Sequence, residues 1–266
     1  MNSLQIAPIT KNIGAEISGV DLSRPLTPEV RHAIEQALMV HQAIFFRDQH
    51  LNPEQLKRFG SDFGKLEEAQ RYALPGHPEI LRMHTDADSD YVVGEGWHSD
   101  TSCLEEPPMG SVLYLHTVPA VGGDTAFASM YAAYDALSER MQTYLAGLSA
   151  VHDSRGLWQQ TSAYEVFPSA THPVVRTHPV TGRKALYVNA AYTTHIVGIG
   201  REESDAILSY LSRHCSNPLF QMRFRWKPHS VAFWDNRSVQ HCALWDYYPE
   251  TRSGYRVQLE GDRPSA

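Results

Sequence analysis

Two short stretches, far apart in the chain, set the terms for its fold. One is Trp97-His98-Ser99-Asp100; the other is Asp235-Asn236-Arg237-Ser238-Val239-Gln240-His241. In extended backbone, residues i and i+2 point to one side, so His98 and Asp100 can grip one ion from one strand end while Ser99 points away. His241 follows Asp100 by 141 residues, so a chain that uses all three must close a long path. Two histidines and one carboxylate cap one triangular face of an octahedral metal and leave the opposite face open. That suits a non-haem Fe(II) that also holds a cosubstrate and O2.

A His-x-acid pair is weak evidence by itself. The chain has 14 histidines, and His84-Thr85-Asp86 and His77-Pro78-Glu79 fit the same pattern. A lone pair of this kind reads first as a solvated loop. Context separates the three. His84 and Asp86 open the run Thr85-Asp86-Ala87-Asp88-Ser89-Asp90, an expected acidic loop. His98 follows Trp97 and precedes Pro107-Pro108 and the strand-like Ser111-Val112-Leu113-Tyr114-Leu115.

The composition permits a large core. Of 266 residues, 42% are hydrophobic and 20% charged, and all-β barrels of this length often form one domain. The net charge of −7 argues against nucleic acid or an anionic membrane as partner. No apolar run is long enough for a span, and the N-terminus lacks a basic stretch followed by an apolar one. Cys103, Cys215 and Cys242 are odd in number and far apart, as free thiols of a reducing cytoplasm would be. A cytoplasmic enzyme is expected.

Local patterns predict alternating strands and helices. Residues 4–22 read as short strands. Thr27-Pro28-Glu29 starts a helix with apolar Val30, Ala33, Ile34, Ala37 and Leu38, and Asn52-Pro53-Glu54 starts a second that runs to Gly64. Ala43–Phe46 is a buried strand. Residues 65–96 show little regular pattern, and their place before the His98 pair predicts a lid around 67–96. Strand 111–118 follows, then the turn Val121-Gly122-Gly123-Asp124, which leaves the Thr125 hydroxyl at a strand start. Ser129 and Ser138 cap helices near 130–137 and 139–148. Residues 173–178 and 184–188 flank a hairpin turn, Glu202–His214 is helical, and 220–226 and 230–235 are strands. No linker or internal repeat divides the chain.

The last strand, Arg252-Ser253-Gly254-Tyr255-Arg256-Val257-Gln258-Leu259, alternates between Arg, Gly, Arg, Gln and Ser, Tyr, Val, Leu. If the odd residues pack against helices, both guanidinium groups enter the interior. Buried cations need anions, and the local sequence offers no obvious carboxylates for them. One or two small-molecule acids would answer that need through arginine's planar fork of donors. The alternative is a solvent-facing strand with surface arginines.

Together these residues resemble the taurine dioxygenase and TfdA-like family of Fe(II)/2-oxoglutarate oxygenases. The resemblance runs from Gly14-Ala15-Glu16-Ile17-Ser18-Gly19-Val20-Asp21-Leu22 through Phe63-Gly64-Lys65-Leu66, Trp97-His98-Ser99-Asp100, Gly122-Gly123-Asp124-Thr125 and His172-Pro173-Val174-Val175-Arg176-Thr177-His178-Pro179. It ends with Trp234-Asp235-Asn236-Arg237, Gln240-His241, Arg252, Arg256 and Gly261-Asp262. It implies a mainly β double-stranded β-helix (a jelly-roll, cupin-like core) with flanking helices. His98, Asp100 and His241 would hold Fe(II). Thr125 and Arg252 match the positions for the far carboxylate of 2-oxoglutarate, and Arg256 the reader of the substrate's acidic group. Tyr72, Gly94, Thr101 and Tyr192 fall at substrate-side positions. Taurine dioxygenases carry a histidine where this chain has Ala69, an asparagine at Gly94 and a phenylalanine at Tyr192, so the resemblance points to another small acid. The implied reaction consumes 2-oxoglutarate and O2, releases succinate and CO2, and hydroxylates a C–H bond. The same residues would serve desaturation, ring formation or C–heteroatom cleavage. Asp100 argues against the halogenating branch. Family members suggest a dimer or tetramer. The rivals are a Zn hydrolase, which would need a base near its water, and a non-enzymatic metal-binding barrel.

Overall fold

The structure, a computed structural model, describes residues 4–69, 72–159 and 166–266. Its frame is an eight-stranded sheet ordered Gln5–Pro8, Ala15–Ser18, Ala43–Phe46, Ser230–Asp235, Gly110–Thr117, Arg252–Leu259, His77–Thr85 and Ala73–Leu74. Ala15–Ser18 and Ala43–Phe46 pair in parallel; the remaining neighbours are antiparallel. A second sheet sets Thr125–Ser129 between Gln221–Phe224 and Val239–Ala243. A third sets Ser149–Asp153 between Thr193–Ile196 and Ser169–Pro173, and Val175–Thr177 pairs with Lys184–Leu186 as a hairpin.

Period two sorts the large sheet into two faces. Ile44, Phe46, Val112, Tyr114, Val231, Phe233, Val257 and Leu259 pack with Ile34, Leu38, Leu56 and Phe59 of the helices Pro28–His41 and Pro53–Ser61. The intervening Phe45, Leu113, Leu115, Ala232 and Trp234 meet Phe127, Met222, Phe224 and Val239 of the second sheet. The central strands are therefore apolar on both sides, as a layer sandwiched between helices and a facing sheet must be. In Arg252–Leu259 the odd residues Val257 and Leu259 lie on the helix side. The even residues Arg252 and Arg256 thus face the inter-sheet space.

The helix starts follow their caps. The Thr27 hydroxyl accepts from Val30 N–H with Pro28 in the first turn, and Asn52 and Gln55 form a reciprocal capping box before Pro53–Ser61. Ser129 and Ser138 cap Met130–Asp135 and Glu139–Leu145. The second helix ends at Ser61 rather than Gly64, because Asp62 and Phe63 already bond back as its closing turn.

Residues 65–96 depart from expectation. His77–Thr85 is a nine-residue strand that pairs with Arg252–Arg256. The exposed sheet edge supplies its hydrogen bonds, so the segment needs no strong pattern of its own. The His-x-acid decoys fall on this strand. His77 meets Glu54 and Glu79 meets Lys57, while His84 bonds both Ser253 and Asp86. Residues 153–171, which lack a clear period, contain the short helix Arg155–Trp158 and part of two strands; 160–165 lie outside the described residues. Among the described residues, no helix is long and apolar enough to cross a membrane.

Candidate active site

His98, Asp100 and His241 converge although 141 residues separate Asp100 from His241. His98 and His241 form an antiparallel bridge through two backbone hydrogen bonds of 3.1 and 2.8 Å. His98 is thus extended at one residue only; Thr101 already turns to φ +38°, so the expected strand end is a single bridge. The Asp100 Oδ1 atom lies 3.6 Å from the Nε2 atoms of both histidines, and all three side chains are buried. Adjacent donors on one octahedral ion with bonds of about 2.1 Å sit about 3 Å apart, so a small closure seats a cation. The His98 Nδ1 atom lies 2.9 Å from the Gly96 carbonyl; an N–H there donates and leaves Nε2 as the ligand atom. Ser99 points away, its hydroxyl donating to Asn236 O.

Asp100 is held from both sides. Ser111 Oγ and Asn236 Nδ2 donate to Oδ2, at 2.7 and 3.4 Å, and Arg256 Nη1 donates to Oδ1 at 3.0 Å. Burial opposes ionisation, but Arg256 and the two imidazoles outweigh it and hold the carboxyl well below the usual range. Burial, then the neighbouring His98, push the His241 imidazole well down, so it is the neutral donor a metal requires. The turn before it is fixed by Asp235, which accepts from Arg237 and lies 3.0 Å from His178 Nε2.

The two arginines differ. Arg256 has its carboxylate in Asp100, 156 residues away, where the local sequence could not show it. Arg252 is buried, and its guanidinium donates to Gly123 O at 3.0 Å and Thr125 Oγ1 at 3.4 Å, both neutral. Burial lowers even this guanidinium to about 10. Thr125 opens its strand as expected, and Trp226 Nε1 also donates to its hydroxyl.

The substrate-side residues are spread. A Cβ on Gly94 would lie 3.1 Å from His98 Cε1 in a left-handed backbone (φ +88°), so that glycine borders the cluster. The Thr101 hydroxyl is buried without a partner among the described residues. Tyr192 is buried, and burial, then Cys103 and Asp100, push its phenol up. Tyr72 stands at 51% exposure with its hydroxyl 3.2 Å from that of Tyr91, a rim position. Sequence reasoning gave no site role to Ser111, Asn236 or Trp226; only Asn236, in the quoted Trp234–Arg237 stretch, carried a signal.

A buried His-Asp-His cluster with Arg256 bonded to its carboxylate, in a fold of facing sheets, defines a jelly-roll metal-site enzyme. The model of the family "Taurine catabolism dioxygenase TauD, TfdA family" matches residues 5–258, and the chain belongs to that family. The family is one of dioxygenases, so the chain is an oxidoreductase. It is 33% identical to an alpha-ketoglutarate-dependent sulfonate dioxygenase of Saccharomyces cerevisiae, over 99% of this chain and 68% of that one. It is also 33% identical to an alpha-ketoglutarate-dependent sulfate ester dioxygenase of Pseudomonas putida, over 98% and 91%. The solved structure of a taurine dioxygenase from Burkholderia xenovorans superposes with a TM-score of 0.89 at 36% identity, covering 99% of this chain and 93% of that one.

Proposed function

We propose that the chain is an Fe(II)- and 2-oxoglutarate-dependent oxygenase that hydroxylates a C–H bond of a small acidic organic substrate. The observation that carries this reading is Arg252, a buried cation with neutral hydrogen-bond partners, on the same strand face as the Arg256 that bonds Asp100 of the His-Asp-His cluster. A Zn hydrolase or a passive metal site leaves that cation without a task, and an unpaired buried charge is too costly to keep idle. The alpha-ketoglutarate-dependent relatives support the same assignment.

Each residue then has a defined part. His98, Asp100 and His241 would hold the metal. Arg252, with Thr125, takes the far carboxylate of 2-oxoglutarate through its fork of donors. Arg256 reads the acid of the prime substrate from its place beside Asp100. Gly94, with no side chain, leaves room next to His98, while Thr101 and Tyr192 line the chamber and Tyr72 its rim. When bound, iron and 2-oxoglutarate with O2 supply an oxidation that yields succinate and CO2 and places one oxygen on the substrate. The chain supplies position, charge and exclusion of water.

Anaerobic addition of Fe(II) and 2-oxoglutarate tests the reading. A visible metal-to-ligand charge-transfer band is expected. Folded protein that gives no band would overturn it.

A further inference from the structure

Beside the last strand lies a carboxylate that neither the metal cluster nor either arginine uses. Leu66 bridges Leu259 in antiparallel register, and Glu67 N–H donates to Gln258 O at 2.9 Å. Paired residues share a face, so Leu66 sits with Leu259 on the helix side, where it packs against the same core. Leu66 and Glu68 also line an outer groove with Lys57, Glu79 and Glu260. Alternation beside that bridge turns Glu67 the other way, with Gln258 and Arg256.

Glu67 is half-buried there, and no described residue hydrogen-bonds its carboxylate. Burial, then the charges of Asp100 and Glu260, raise its carboxyl to about 7, against the pull of Arg256. Arg256 donates its Nη1 to Asp100 at 3.0 Å, while its Nε is buried without a partner among the described residues and remains for an acid. A half-buried carboxylate that no cation among the described residues bonds calls for one on the ligand.

Resting on the reading of this chamber as the substrate site, we propose that Glu67 determines specificity by accepting a hydrogen bond from a substrate amine while Arg256 holds the acid end. The substrate is then an amino-substituted organic acid.

The test compares 3-aminopropanesulfonate with 1-butanesulfonate, which has the same chain length but no amine. Each is titrated calorimetrically into the anaerobic Fe(II)–2-oxoglutarate complex. The wild type should bind the amine about tenfold or more tightly, the worth of a charge-assisted hydrogen bond. Glu67→Gln should cut that preference to within about threefold while keeping its butanesulfonate affinity. Equal wild-type affinities, an unchanged preference in Glu67→Gln, or no binding of either probe would overturn the proposal. Loss of both probes by the variant would make Glu67 structural and overturn it as well. Failure of the broader function shows separately, as absence of the charge-transfer band before any probe is added.

Discussion

Arg252 and Arg256 occupy one face of one strand, yet their surroundings give them different work. Arg256 donates to Asp100 Oδ1 at 3.0 Å, whereas Arg252 donates to a backbone carbonyl and a threonine hydroxyl. Arg252→Ala should therefore weaken 2-oxoglutarate by roughly ten- to several-hundred-fold, the loss of a charge-assisted contact. Arg256→Ala should weaken 2-oxoglutarate far less and instead depress substrate-stimulated turnover, with slow uncoupled succinate formation. Measured 2-oxoglutarate affinities that fall equally in both variants would contradict the division. A screen of small organic acids should also find better substrates than taurine, since Ala69 removes one family contact to the acid; taurine emerging as best would count against it.

At the scale of the element, the last strand depends on a glycine set between its arginines. A Cβ on Gly254 would collide with Tyr114 O and come within 2.8 Å of Leu115 Cα, next to a register shift at Ser253. Gly254→Ala must push two paired backbones apart. It should cost about 1–3 kcal/mol or more in denaturant unfolding, and it should loosen 2-oxoglutarate at the same time because Arg252 moves with the strand. Wild-type stability in this variant would show that the sheet yields freely there. The neighbouring strand His77–Thr85 narrows the expected lid to the irregular Asp86–Gly96 stretch that leads into His98. We infer that this stretch closes over the site, so 2-oxoglutarate and substrate together should slow proteolytic cutting at 86–95. Equal cutting with and without ligands would rule out closure.

Across the whole molecule, buried imidazoles tie stability to pH. His152 is sealed among Ser102, Thr193 and Tyr187, and burial, then His172, push it down to about 3. The unfolded chain, with histidine near 6.5, binds more protons than the folded one between those values. His152 therefore contributes stability that is fully present above about pH 6.5 and is lost as pH falls toward 3. Unfolding free energy should drop by roughly 1 kcal/mol per pH unit below 6.5 on this account. The slope should flatten by that amount in His152→Gln. Matching slopes in the two proteins would remove His152 as the cause.

The sequence alone determined the helix starts, because Thr27, Asn52, Ser129 and Ser138 cap backbone only three residues away. It also determined the face that Arg252 and Arg256 share, since period two is a local property of extended chain. Choosing His98 and Asp100 over His84 and Asp86 needed just their neighbours. The sequence did not reveal the His77–Thr85 strand, whose pairing partner is the edge of a strand more than 160 residues on. Nor did it reveal that Asp100 answers Arg256, or that Leu66 bridges Leu259. Those three facts depend on which distant backbones lie side by side, and tertiary packing alone sets that.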